Sequence, residues 1–235
     1  SNDKQSPAGV SAANGTAAQV PTWSRGDLDF FLHGSMSTEM IPERVLRAFI
    51  RAYPDLFPTT DLSHLGLIPD PAFGWPVGFS RRSVGHLAGL PSVGINCAAC
   101  HVGEVAAATG AKPVRVLGVT SHFDAEAFFG SLIVAGFRTA DPANMKKYLA
   151  VYRSGGSDAL FEKAWAQQES RIAAVMKDDP FGAKGIAPGE LHEITATDLR
   201  LDYNLLDAGS DLVPLVRATL KLLHNTRAAL HVPDQ

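Results

Sequence analysis

Apolar positions in this chain keep a helical period in some stretches and lose it in others. Val45, Leu46, Phe49, Ile50 and Tyr53 fall on one face of a helix. Pro42 opens that helix where its fixed φ is welcome, and Pro54 closes it. A shorter helix is expected over Trp23–His33, with Phe30 and Phe31 as its apolar residues, before a Gly34–Ser37 loop. Helical spacing returns from about Asp124 to Phe137, from Asp141-Pro142 to near Gly155, and from Ser157 to about Lys177. Asp178–Pro188 reads as a linker, Thr197 or Asp198 as the cap of a further helix. Asp211–Leu230 reads as a long amphipathic helix with Leu215, Leu220, Leu223 and Leu230 on its apolar side. Between Phe57 and Gly94 the period disappears, and prolines stand at 58, 69, 71, 76 and 91. A loop this long is usually functional or wraps a ligand. Pro113–Gly118 alternates and reads as a short strand or an extended segment. The pattern predicts a mainly α fold with long wrapping loops and little or no sheet.

Composition narrows this reading without changing it. The 235 residues are 46% hydrophobic and 19% charged, which excludes a disordered or collagen-like chain. A formal net charge of −3 supplies no basic field for nucleic acid, so no nucleic-acid partner is expected. No apolar run approaches the ~20 residues that cross a bilayer, so no transmembrane segment is expected. Residues 1–22 are rich in Ser, Ala, Asn and Gly and read as a flexible tail, leaving 23–235 as one domain.

The two cysteines carry the chemistry. Cys97 and Cys100 are three apart and His101 follows directly, giving Cys97-Ala98-Ala99-Cys100-His101, the attachment pattern of a c-type haem. Residues three apart share a helical face. Two thiols there can add to the two vinyl groups on one edge of a porphyrin, and the next imidazole can bind the iron. The small alanines let the macrocycle approach the backbone. Asn96 reads as the cap of the short helix that carries the motif, and Gly103 as its end. Three other readings compete: a zinc site lacking its fourth cysteine, a thioredoxin-like redox pair, and a strained local disulfide. Covalent haem uses all three residues, and it predicts one haem c per chain. Thioether attachment in bacteria takes place outside the inner membrane, which implies a periplasmic or otherwise exported protein. Residues 1–20 show no signal peptide.

Two stretches then show a likeness. Gly74-Trp75-Pro76-Val77-Gly78-Phe79 and Val93–Val105 around the motif resemble the first haem region of the dihaem cytochrome c peroxidase superfamily, in its rubber-oxygenase-like branch. The Gly34–Pro42 stretch and Asp124–Phe128 are also similar, so the likeness runs from about Asp27 to Phe129. It implies a helical cytochrome c-type haem domain. Members of that family carry a second haem motif, and this chain has no further cysteine. The expectation is therefore the N-terminal half of a longer protein, or a single-haem relative. The electron partner is then a redox protein or a second haem-bearing domain or subunit.

The distal side of the iron separates electron transfer from oxygen or peroxide chemistry. His122 leads as distal ligand, because a short extended segment and a turn after the motif can fold it back. Its spacing is also similar to that of the distal histidine of bacterial dihaem peroxidases. The competing reading is a surface histidine beside a helix start. Met36, Met40, Met145 and Met176 are further candidates, the last two read first as core, and an open iron stays possible. His86 reads as a solvent or propionate contact, and His33, His64, His192, His224 and His231 as surface residues. Arg115, Arg81 and Arg82 suit haem propionates through the guanidinium fork, with solvated charge as the alternative. Trp75, Phe79 and Phe123 suit the porphyrin face. The expected function is electron transfer by one covalent haem. The alternatives are a peroxidase- or oxygenase-type enzyme, with His122, Arg115 or Glu126 as acid or base, and a structural or sensing haem subunit.

Overall fold

The computed structural model describes residues 22–87, 89–106, 108–153, 157–180, 182–187 and 211–229. In chain order these form α1 (Arg25–His33), β1 (Glu39–Pro42), α2 (Glu43–Ala52), β2 (Phe79–Ser83), β3 (Pro91–Ile95), α3 (Ala98–His101), β4 (Val102–Val105), β5 (Val114–Leu117), α4 (Ala125–Thr139), α5 (Pro142–Tyr152), α6 (Asp158–Asp178) and α7 (Val213–Ala229). Short 3-10 turns sit at Ser63–Leu65 and Gly85–Leu87. The flexible tail expected before residue 22, the helix start at Thr197 or Asp198, and His192, Leu230 and His231 lie outside the described residues, as does the side chain of His86. None of the described helices is long and apolar enough to cross a membrane.

The strands correct the expected fold class. β1, β3 and β2 form a three-stranded sheet in that order, and β4 pairs with β5 in an antiparallel hairpin in which Val102 faces Leu117 and Val105 faces Val114. The fold is therefore mixed α/β, not mainly α with little or no sheet. Three of these strands lie inside or at the edge of stretches read as loop. They are four or five residues long and their buried positions do not alternate: β3 buries Ser92, Val93 and Gly94 in a row. Period-2 analysis has nothing to detect there. Gly103, expected to end the motif helix, lies inside β4, which follows α3 with no connecting loop.

The chain divides into two units. The first holds the described residues up to Met40, with Pro58–Arg82 and Val93–Phe128; the second holds Ile41–Phe57, Ser83–Ser92 and the described residues from Phe129 onward.

The second unit is a helical core. α2 packs on α5, α5 on α6, and α6 on α7. One of its helices, α5, begins where a side chain satisfies free N–H groups. Asp141 accepts from the Ala143 and Asn144 amides, with Pro142 in the first turn. Pro42 is the residue before α2 rather than its first helical residue. The buried set is large and apolar: Leu46, Phe49, Met145, Tyr148, Leu149, Phe161, Trp165, Ile172, Leu215 and Leu220. Each such side chain contributes roughly 1.5–3 kcal/mol by leaving water. Phe49, Tyr148 and Tyr152 follow one another with ring centroids 5.3 and 5.5 Å apart. Burial pushes the Tyr148 phenol well above its ordinary 10.0, so it is neutral in the fold. Gln168 Oε1 accepts the Leu212 amide at 2.8 Å and holds the chain at the start of α7.

The first unit is built from fewer apolar groups. Leu28 and Leu32 of α1 pack with Val77, Ala98 and Val102, flanked by Phe31, Ile68 and Leu117. α1 starts in a capping box: Ser24 accepts the Asp27 amide while the Asp27 carboxylate accepts the Ser24 amide. Thr38 donates its hydroxyl to the Ile95 carbonyl at 2.6 Å. Glu39, on β1, is buried and accepts from the Ser80 hydroxyl at 2.9 Å, with Arg82 3.7 Å away.

Candidate functional site

The motif turn is fixed from both ends. Before it, Asn96 donates its backbone amide to the Gly78 carbonyl at 2.8 Å, and its side-chain oxygen accepts the Ala98 amide at 2.9 Å. That is the expected cap of the motif helix, one residue ahead of Cys97. Inside the turn, the Cys100 and His101 amides both donate to the Cys97 carbonyl. Ala98 and Ala99 are buried, whereas Cys97, Cys100 and His101 are all exposed and both thiols are free.

Two alanines inward and three reactive groups outward require close backbone approach on the inner side. Gly78 supplies it. Its φ is +88°, and a Cβ there would lie 2.1 Å from the Ala99 nitrogen. Only glycine tolerates both conditions.

After the turn, the carbonyls of α3 are taken up by one short segment. Ser121 donates its hydroxyl to the Ala99 carbonyl at 2.6 Å and its amide to the Cys100 carbonyl at 2.9 Å. Gly118 donates to the His101 carbonyl at 2.8 Å. The Ser121 hydroxyl also accepts the Phe123 amide, so it shapes the turn that carries His122. Gly66, at φ +76°, lies so close that a Cβ would stand 2.0 Å from the His122 carbonyl oxygen. The backbone of His122 is thus anchored beside the motif, and its side chain is exposed.

Arg115 is engaged elsewhere than on the surface. It is 4% exposed. Its guanidinium donates to the Pro69 carbonyl at 3.1 Å and to Asp70 at 3.3 Å, with Glu104 3.6 Å from its Nε. Asp70 also meets His33 Nε2 at 3.3 Å, and His33 Nδ1 meets the Phe79 carbonyl at 3.0 Å. Phe73 stacks on that imidazole at 3.8 Å. Burial works to raise the Asp70 carboxyl, but the hydrogen bond to His33 and the Arg115 charge outweigh it and hold the group below its ordinary 3.8. The alternative of solvated charge does not apply to Arg115. His33 is largely buried rather than a surface histidine, and His224 is buried as well.

The remaining candidates are scattered. Trp75 is buried and stacks on Phe79 at 5.7 Å with rings 5° from parallel. Phe79 meets Phe128 edge-on, and Phe128 lies 6.0 Å from Phe123. Arg81 and Arg82 are exposed on β2, and Glu126 is exposed on α4. Met36 and Met40 are exposed, whereas Met145 and Met176 are buried in the helical core, in line with their reading as core. His64 bonds the Thr59 hydroxyl at 2.8 Å.

The structure therefore brings Cys97, Cys100 and His101 onto one exposed turn with the His122 backbone beside it, and places Trp75 and Arg115 in the interior of the same unit. Sequence reasoning missed Ser121, although a serine two residues before an anchored amide is an ordinary turn signal. It also missed the His33–Asp70–Arg115 group, whose members are far apart along the chain and carry no local pattern. Two outward thiols three residues apart and an adjacent outward imidazole fit a haem held by two thioethers and one axial ligand. Among the described residues no three His, Cys, Asp or Glu side chains are placed to hold one ion. No family model, no curated protein and no solved structure matches this chain.

Proposed function

We propose that the first unit carries one covalently bound haem c and that the protein transfers electrons, as a c-type cytochrome of an exported compartment. The observation that carries this reading is the motif turn: Cys97, Cys100 and His101 face out together while Ala98 and Ala99 are packed inside. In this reading Cys97 and Cys100 hold the porphyrin through thioethers and His101 binds the iron. When bound, the haem supplies a one-electron couple set by its axial ligands and burial. His122 is the distal candidate, since its backbone is held by the segment that bonds to the end of α3. Trp75 is buried in the same unit, stacked on Phe79. Arg115 supports the fold through its ion pair with Asp70, and contact with a propionate would require it to leave that pair. The electron partner is a redox protein or a second haem-bearing domain.

The test is expression of the full chain with a haem-attachment system in an exported compartment. Mass spectrometry should show the chain plus one haem that survives denaturation. Replacing both cysteines by serine should abolish it. Apoprotein mass alone in the wild type sinks the proposal. For the distal side, His122→Ala should convert a low-spin optical and electron-paramagnetic spectrum to a high-spin one; an unchanged spectrum removes His122.

A further inference from the structure

Asn96 does more than cap the motif helix. Its side-chain amide donates to two carbonyls at the end of α1, Phe31 at 3.3 Å and Gly34 at 3.0 Å, while its oxygen accepts the Ala98 amide. Its main chain donates to Gly78 and accepts from Ala99. The residue is 8% exposed, so its polar atoms rely on protein partners rather than on solvent. The partners also fix which way the amide points, because two carbonyl oxygens can face only the NH2 end. A primary amide one methylene from the backbone is the side chain that meets two acceptors and one donor here. Serine would supply the acceptor, but its single hydroxyl proton cannot serve both carbonyls. Aspartate would cap the helix as well as asparagine does, but it would set a carboxylate against two carbonyl oxygens.

We propose that Asn96 is a positioning residue for the dithiol turn: it ties the end of α1 to the first amide of α3 and so sets where Cys97 lies relative to Cys100. The inference rests on the haem reading only for the use to which the two thiols are put. It follows that the cap and the cross-link are separable by substitution. Asn96→Asp keeps the first and removes the second, and Asn96→Ser keeps the first and leaves at most one of the two bonds to α1, without adding charge.

The experiment uses the full chain, with two readouts. In the haem-loaded protein, peptide mass spectrometry counts thioethers. Wild type should carry two, and Asn96→Asp should yield a mixture in which one cysteine remains unmodified. In the full chain expressed without haem attachment, hydrogen exchange should accelerate roughly tenfold at the Cys100 and His101 amides in the variant, as expected for loss of one or two net hydrogen bonds. Exchange in the β4–β5 hairpin should stay unchanged. An Asn96→Asp protein identical to wild type in both readouts makes Asn96 a cap only and overturns the proposal. Uniformly faster exchange across the unit also overturns it, since that is general destabilisation. If Asn96→Asp does not fold, Asn96→Ser is read in the same way; if neither folds, the residue is structural and the proposal fails. A wild type that takes up no haem defeats the functional reading, and the exchange measurement still decides the role of Asn96.

Discussion

The two units differ in how replaceable their contacts are. In the helical unit, Leu46, Phe49, Met145, Leu149, Phe161, Ile172 and Leu220 are buried side chains of one chemical kind. Losing part of one leaves a space that its neighbours partly refill. In the motif unit the decisive contacts are made once. Gly78 meets the Ala99 backbone, Gly66 meets His122, and Gly94 lies where a Cβ would be 2.5 Å from the Thr38 carbonyl. Asp70 joins His33 to Arg115. The lesson is one of design: an apolar core tolerates change by degrees, whereas a unit fastened by backbone contact and buried charge fails at single positions.

That comparison can be broken most directly at Asp70. Asp70→Ala leaves the Arg115 guanidinium buried without its main carboxylate, and should cost about 3–5 kcal/mol. Urea unfolding followed by Trp75 fluorescence, with Trp23 and Trp165 replaced by Phe, reads the motif unit. A loss below ~1 kcal/mol would mean that the network is dispensable. Next, Gly78→Ala adds a single methyl and should cost roughly 1–3 kcal/mol from overpacking, with the positive φ adding to it. Met145→Leu in the helical core changes shape at nearly constant volume and should cost less than about 1.5 kcal/mol. The reverse order would remove the distinction between the units.

The pH dependence sharpens the contrast. The Asp70 carboxyl is held below 3.8 in the fold, so its contribution is full above that value and is lost as pH falls through it toward the lower folded value. The Tyr148 phenol is raised above 10.0, so its contribution is full below that value and is lost as pH rises beyond it. Trp75 as sole reporter should show weakening in acid that Asp70→Asn removes. Trp165 as sole reporter should show weakening in alkali that Tyr148→Phe removes. The smallest effect is expected at the exposed Lys146–Glu162 pair: Glu162→Gln should change stability by no more than about 1 kcal/mol, measured by the same unfolding.

The same difference decides what could be read from the sequence. α2, α4, α5, α6 and α7 announce themselves because an apolar stripe repeats every three to four residues, and Asp141-Pro142 marks a start. β1, β2 and β3 do not, since Phe79-Ser80-Arg81-Arg82-Ser83 buries its first two residues and exposes the rest. What makes these segments strands is pairing between distant parts of the chain. At the site, the Cys97–His101 pattern and the Asn96 cap are legible because both are local. The second job of Asn96, at Phe31 and Gly34, is not, and neither is the withdrawal of Arg115 into an ion pair with a residue 45 positions away.

The direct passage from α3 into β4 has a consequence in time. The β4–β5 hairpin joins near neighbours, and such hairpins close within about 1–10 μs. The bond from Asn96 to Gly34 spans 62 positions and must wait for a long loop to close. The hairpin end of α3 is therefore a local structure, whereas the Asn96 end depends on α1 closing onto the turn across that long loop.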